Sequence, residues 1–424
     1  MKRILALVLA VLMMAAIFVG CGGGSSTDTD TSGSGDTDPF GGEDNITLKV
    51  WAPEKAKDLC EQQCQAFIEQ YPDKTISIEV VAQGEGDAAS ALLNDPDTAA
   101  DVFSFPSDQL NKLVNAGVIA PVFDEYLDDV TSRNSVESVA AGTIDDTLWA
   151  FPETGDNGYY LVYDKSVVSE EDAATFEGVL EACRKAGRKF IMDAGNGFYS
   201  CIFPFTGGLE ITGLSADGVQ QFNDYDEAEV VDTLYAFSAL FHEYSDIFES
   251  NDPSKVSSGM AEATPTVAAG IDGSWNAATV QGVLGDNYGA AKLPTIDVNG
   301  TAKQLISMHG YKYIGVNMSS SYLDAAELLA DYLTGEECQL QRAEEISWGP
   351  SNTTAAASDV VKNNDALNAI IEQSVYSVAQ VNVADTFWTP MATLGEAVYK
   401  KDNAVDKDYL TEQLQKCVAN IKDE

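Results

Sequence analysis

No motif for covalent catalysis is present in the chain. It has no G-x-S-x-G, no H-E-x-x-H and no P-loop, and only His242 and His309 could act as imidazole bases. With 67 acidic residues, carboxylate pairs arise by chance and do not by themselves mark a hydrolase. No C-x-x-C occurs, so no metal-binding spacing is present, and neither a metal nor an organic cofactor is expected. What the chain offers instead is acids and aromatics where regular structure breaks. Trp275 follows Asp272-Gly273-Ser274, and Trp388 precedes Thr389-Pro390. An aromatic beside such a break is not filling an apolar run, so its face is available to a ligand. Glu54 follows Pro53, Glu85 and Asp87 lie in the polar stretch 83–87, and Asp108 follows Pro106. Carboxylates accept hydrogen bonds and aromatic faces cover C–H surfaces, which is the chemistry of non-covalent capture.

These residues must be held by strands and helices that the hydropathy pattern predicts. Residues 46–51 alternate and read as a strand, broken by Pro53. Residues 54–70 carry Leu59, Cys60, Cys64, Phe67 and Ile68 at helical spacing. Further strands are expected over 75–81 and 101–105, with a helix beginning at Ala88 between them. Asp108 is placed to cap a helix that ends at Gly117. Beyond Trp149, strands over 158–163, 189–192, 267–272, 287–294 and 307–317 alternate with helices, and the last third reads as helical. Strand–helix alternation predicts α/β lobes with a mostly parallel sheet covered on both faces, and ligands bind such sheets at the carboxyl ends of their strands.

The N-terminus carries a different signal. Met1-Lys2-Arg3, an apolar run over 4–19 and then Phe18-Val19-Gly20-Cys21 form the layout of a secretory leader, too short for a comfortable membrane span. The tetrapeptide resembles the lipobox of bacterial lipoproteins, with Phe18 where Leu is usual. That resemblance implies cleavage before Cys21 and attachment of lipid, including a palmitate-type acyl chain, to it. Residues 22–45 are Gly, Ser, Thr and acid with one large apolar residue, Phe40, and predict a flexible tether. Such a segment spans on the order of 25–30 Å.

Residues 46–424 exceed one small domain. Net charge is −43, and loss of Lys2 and Arg3 with the leader makes it −45. No basic surface remains to neutralise phosphates, so nucleic acid is excluded as a partner. Cys60, Cys64, Cys183, Cys201, Cys338 and Cys417 could pair in an exported chain, but they read best as small buried hydrophobes.

Several stretches line up in order with one family. Leu48-Lys-Val-Trp51, Phe67-(x3)-Tyr71-Pro72, Ala100-Asp101-Val-Phe103 and Gly117-(x3)-Pro121-Val122 come first. Phe151-Pro152, Tyr163-Asp-Lys165, Gly207-Gly208, Asp272-Gly-Ser-Trp275, Lys292-Leu-Pro294 and Phe387-Trp388 follow. Together they resemble the extracellular solute-binding components of carbohydrate ABC importers, of the maltose-binding type. The resemblance implies a two-lobed periplasmic-binding-protein fold with the ligand in a cleft crossed by hinge strands. It implies an N-lobe of 46–154 plus 305–342 and a C-lobe of 155–304 plus 343–424. It implies an oligosaccharide ligand (α-glucan or maltodextrin best), permease subunits as partners, and a monomer lipid-anchored outside the cell membrane of a Gram-positive bacterium.

Carried over by position, the ligand contacts would be Trp51 and Glu54 after the first strand, Glu85 and Asp87 after the second, and Phe105 and Asp108 after the third. Asp156 or Asn157 would follow the first crossing, Phe198 or Tyr199 would supply a C-lobe aromatic, and Trp275 and Trp388 the cleft tryptophans. Trp348, in Ser347-Trp-Gly-Pro, is a further candidate. Trp51 could equally be core, Asp108 a simple cap, and Glu85 and Asp87 solvated loop charges. The rival readings are a lipid-anchored glycoside hydrolase, which needs two carboxylates about 5–10 Å apart, and a surface glycan adhesin without a transporter.

Overall fold

Alternation in the first strand becomes a two-faced element. In Asn45–Ala52 the side chains of Ile46, Leu48, Val50 and Ala52 are buried on one face, while Trp51 packs half-buried on the other. The structure is a computed structural model that describes residues 38–215 and 217–422. The leader, Cys21 and the tether up to residue 37 lie outside the described residues. The remainder of the expected tether is held down. Phe40 is buried, edge-on to Tyr71 at 4.8 Å and beneath the Lys74 ammonium at 5.3 Å. The ring gives this polar stretch apolar surface to bury.

Two sheets organise the chain. Their strands in order are β1 (Asn45–Ala52), β2 (Thr75–Ala82), β3 (Val102–Pro106), β4 (Phe151–Asn157), β5 (Tyr159–Asp164), β6 (Lys189–Ile191), β7 (Phe248–Glu249), β8 (Val267–Gly273), β9 (Tyr288–Ala291), β10 (Ser307–Val316) and β11 (Ser377–Ala379). The first sheet runs β11-β10-β3-β1-β2, with β4 also paired to β10; the second runs β7-β6-β8-β5-β9. β1 pairs in parallel with β2 from Asn45 opposite Thr75 to Ala52 opposite Ala82. The sheets are mixed and not simply parallel: β10 is antiparallel to β3 and β4, and β5 is antiparallel to β8 and β9. These reversals occur where the chain changes sheets. β4 ends at Asn157 and β5 begins at Tyr159, so one residue separates the two sheets.

Each sheet is covered on both faces. Phe67, Leu329 and Leu333 cover one face of the first sheet; Phe103, Phe105, Leu110 and Tyr313 fill the other. The second sheet packs against a large cluster that includes Phe176, Phe190, Phe203, Phe237 and Phe387, and against a smaller one with Tyr160, Val256 and Ile370. All six cysteines of the described residues are free and buried among these apolar groups. Beyond β10 the regular elements are helical apart from β11.

Helix starts differ from the sequence reading in two places that matter. The helix expected from Ala88 begins at Glu85 (Glu85–Asn94), so Glu85 and Asp87 occupy its first turn and not a loop. Acids are favoured there by the exposed amides and the helix dipole. The helix Leu110–Ala116 has Gln109 at its N-cap and no side-chain cap, so Asp108 is not its cap. Asp108 lies instead in a 3-10 turn, Ser107–Gln109, with its carboxylate engaged elsewhere. Gly117 ends that helix at φ 67°, ψ 28°, a left-handed conformation that glycine adopts at no steric cost.

Candidate binding cleft

A cleft of about 1070 Å³ opens between the two sheets. Its first wall comes from the amino end of the helix Glu85–Asn94, the turn after β3 and the middle of β10. Its second wall comes from the turn at Asn196-Gly197-Phe198 and from the first turns of the helices Ser274–Leu284 and Trp388–Tyr399. Asn157 and Gln380 stand where the walls meet.

The first wall is a charged network. Lys312 is 4% exposed, and its Nζ lies 2.8 Å from Glu85 Oε2. Ser104 Oγ is 2.9 Å from Glu85 Oε1 and 2.5 Å from Glu153 Oε2. One hydroxyl proton cannot serve both carboxylates. Burial raises Glu153 above the ordinary carboxylate range, against the pull of Arg342. The Ser104 hydroxyl therefore donates to one of the two carboxylates at a time, within reach of both. Burial alone would lower Lys312; the carboxylates of Glu85, Asp156 and Glu153 outweigh it and hold the ammonium above its usual value. That ammonium also lies 4.3 Å from the ring centre of Trp348 and 5.6 Å from that of Trp275.

A second network spans the floor. Asn157 Nδ2 donates to Gln380 Oε1 at 2.7 Å, and Gln380 Nε2 donates to Asp108 Oδ1 at 2.9 Å. Gln380 is itself pinned, its N–H donating to the His309 carbonyl at 2.7 Å and its own carbonyl accepting from Ser107 Oγ at 2.6 Å. Burial pushes Asp108 up to about 7. The site thus offers oriented acceptors and amides already desolvated on their inner sides.

The second wall is aromatic. Phe198 stands edge-on to Tyr159 at 4.9 Å and lies 6.3 Å from Trp275. Trp388 completes the set, seated against Gly197, where a Cβ would come within 2.4 Å of the Trp388 carbonyl oxygen. Polar contacts cross between the walls. Lys55 donates to the Trp275 carbonyl at 3.3 Å and to Asn276 Oδ1, and Lys112 pairs with Asp385 at 2.9 Å.

Of the residues expected at the site, Glu85, Asp108, Asn157, Phe198, Trp275 and Trp388 line the cleft. The others do not. Phe105 is fully buried on the inner face of β3 between Phe103 and Tyr313, because strand alternation turns it away from the mouth. Tyr199 packs 5.0 Å from Tyr159, and the neighbouring Phe198 takes the cleft position. Trp348 is 2% exposed beneath Lys312. Asp156 faces the back of the crossing, accepting from the Gly349 N–H at 2.7 Å. Trp51 packs with the core cluster of Phe103 and Phe105, while Glu54 and Asp87 are exposed outside the lining.

Lys312, Gln380, Asn196, Lys112 and Glu396 line the cleft and were not expected there. Lys312 carried one signal in the sequence: it is a lone cation within the strand Tyr311–Val316, where only a paired charge is tolerated. Gln380 carried none, since its place depends on contacts with residues more than 200 positions away.

A mixed α/β chain with two sheets, a cleft between them and strands passing from one to the other has the architecture of a two-domain solute-binding protein. The chain belongs to the bacterial extracellular solute-binding protein family, which it matches over residues 62–369. That family binds solutes and is not enzymatic. Over 357 residues the chain is 26% identical to the galactooligosaccharide-binding protein of Bacillus subtilis, covering 81% of this chain and 82% of that one. It is 23% identical over 326 residues to the maltotriose-binding protein of Pyrococcus abyssi, covering 75% and 69%. A structure solved with acarbose superposes with a TM-score of 0.79 at 26% identity, covering 89% of this chain and 99% of that chain. The maltodextrin-binding protein MalE1 from L. casei, without ligand, gives 0.74 at 23% identity, covering 90% and 100%, a likeness of fold.

Proposed function

We propose that this protein captures an oligosaccharide by closure of its two lobes and delivers it to the permease of an ABC importer. The observation that carries this reading is the pairing of walls. Phe198, Trp275 and Trp388 face Glu85, Asp108, Asn157 and Gln380 across one cleft. Aromatic faces suit the C–H surfaces of a sugar ring, and carboxylates and amides suit its hydroxyls. Glu85 pairs with Lys312 and Asp385 with Lys112, so each cation among the described lining residues already faces a carboxylate.

Maltodextrin is the preferred cargo, supported by the maltotriose-binding relative and by the maltodextrin-binding fold neighbour. A galactooligosaccharide is the second reading, favoured by the Bacillus subtilis relative. The lobes are taken as 46–154 plus 305–342 and 155–304 plus 343–424. Cys21 carries the lipid, the residues after it form the leash, and the protein works as a monomer on the outer face of the membrane of a Gram-positive cell.

Isothermal titration calorimetry with maltotriose, longer maltodextrins and galactooligosaccharides tests the ligand. Sub-micromolar binding of one series without turnover is expected. Release of monosaccharide on long incubation would return the hydrolase reading, and no binding of either series would remove the proposal. Mass spectrometry of the mature N-terminus tests the anchor: an unmodified Cys21, or a cut elsewhere, counts against it.

A further inference from the structure

The main cleft does not end at its lining. A second cavity of about 460 Å³ adjoins it and shares with it Asp108, Lys112 and Asp385. Lys112, from the helix Leu110–Ala116, and Asp385, from the turn before Trp388, form their 2.9 Å ion pair at this junction. Asn111 and Asn382 hydrogen-bond across the same seam. Beyond the ion pair the walls come from both sides. Leu93 and Asn115 belong to the first side. Leu214 and Val219, from the hairpin Ile211–Leu214 and Gln220–Phe222, and Lys422 belong to the second.

This chamber has a composition of its own. Leucine, valine and isoleucine side chains stand among two asparagine amides, two lysine ammoniums and two carboxylates, so apolar and hydrogen-bonding groups both face the space. It has no aromatic platform among its lining residues, in contrast to the main cleft. Its ligand contacts are therefore weaker per unit of area than those made by Trp275 and Trp388. The ion pair at the junction is partly solvated, with Lys112 34% and Asp385 67% exposed, so either side chain can exchange its partner for a ligand hydroxyl at little cost.

We infer that the binding site is two-chambered: the distal units of a long oligosaccharide run past the Lys112–Asp385 pair into the second chamber, which selects for chain length. The inference rests on the oligosaccharide reading above. It identifies the second chamber's occupant by continuity, since a chain held in the main cleft and emerging past Lys112 and Asp385 comes directly onto the surface that shares these residues with the cleft.

The test compares a short and a long member of one series on the full mature chain. Maltotriose and maltoheptaose are titrated calorimetrically into wild type, Val219→Trp and Asn115→Trp, with galactooligosaccharides of matching lengths in parallel. Val219 and Asn115 line only the second chamber, and Asn115 is exposed, so its replacement leaves the fold intact; melting curves verify both variants. Wild type is expected to bind the long chain about tenfold more tightly than the short one. Both variants should lose that advantage and keep their affinity for the short chain. Equal affinity for both lengths in wild type, or an unchanged ratio in folded variants, overturns the inference while the oligosaccharide reading stands. Binding of neither series removes that reading, and the inference falls with it.

Discussion

Lys312 is the residue on which the first wall of the cleft turns. Its ammonium is buried in a strand, 2.8 Å from Glu85 and close to Glu153 and Asp156. Replacing it with methionine fills much of the same volume but leaves acids on several sides without their cation. Removing one partner of a buried pair costs about 3–5 kcal/mol, because the remaining charge is desolvated and unpaired. Glu85→Gln should cost less, about 1–3 kcal/mol, since Lys312 keeps Glu153 and Asp156 as neighbours. The double variant, Glu85→Gln with Lys312→Met, should lose less than the two single losses together, with a coupling of about 1–3 kcal/mol. Urea unfolding followed by tryptophan fluorescence measures all four forms, and Trp348 and Trp275 lie close enough to the ammonium to report its loss. The reasoning is refuted if Lys312→Met unfolds within about 1 kcal/mol of wild type, or if the two substitutions are strictly additive.

The aromatic wall gives a sharper contrast. Trp388→Ala and Trp275→Ala should each weaken sugar binding by about thirtyfold, or roughly 2 kcal/mol, whereas Trp348→Phe should change it much less; calorimetry on all three decides. Phe105→Ala should destabilise the protein by about 3–5 kcal/mol through a core cavity, read as a shifted urea midpoint, and a loss near zero would return Phe105 to the surface. Asp272 is buried with Oδ2 lacking a partner among the described residues, and burial pushes it up to about 7. The folded state then holds a proton that the unfolded state releases near pH 4, so this group's contribution is full below about pH 4 and is lost as pH rises through about 7. The melting temperature of wild type relative to Asp272→Asn should therefore fall between pH 5 and pH 8, and a rise would refute the assignment. Lys55→Ala removes the contact with Trp275 and Asn276, so small-angle scattering should show a larger radius than wild type at sub-saturating ligand.

Much of the fold was legible because it is local. Strand alternation over Asn45–Ala52, the Gly117 stop, and the breaks at Pro53 and Pro106 are set by side-chain period and backbone freedom. The two tryptophans beside breaks, Trp275 and Trp388, were read for the same reason. The lining of the cleft departs from the expected contacts where one residue of register decides which side chain faces it. Phe105 and Tyr199 are each one step from a cleft residue, Pro106 and Phe198, and a single step turns a side chain from mouth to core. Composition misled at Phe40, where a polar stretch hides one ring with a place to go.

The sequence by itself determined the class of chemistry. Acids and aromatics placed where an acidic α/β chain breaks its regular structure carry the chemistry of non-covalent capture. Only the tertiary structure decided which of those side chains share a space. β10 pairs with β3, β4 and β11, and so brings Lys312 to Glu85, while the Gln380 that follows β11 comes to Asn157 and Asp108. Such pairings join residues hundreds of positions apart. They are settled by which strands lie side by side, and no local pattern of residues encodes that.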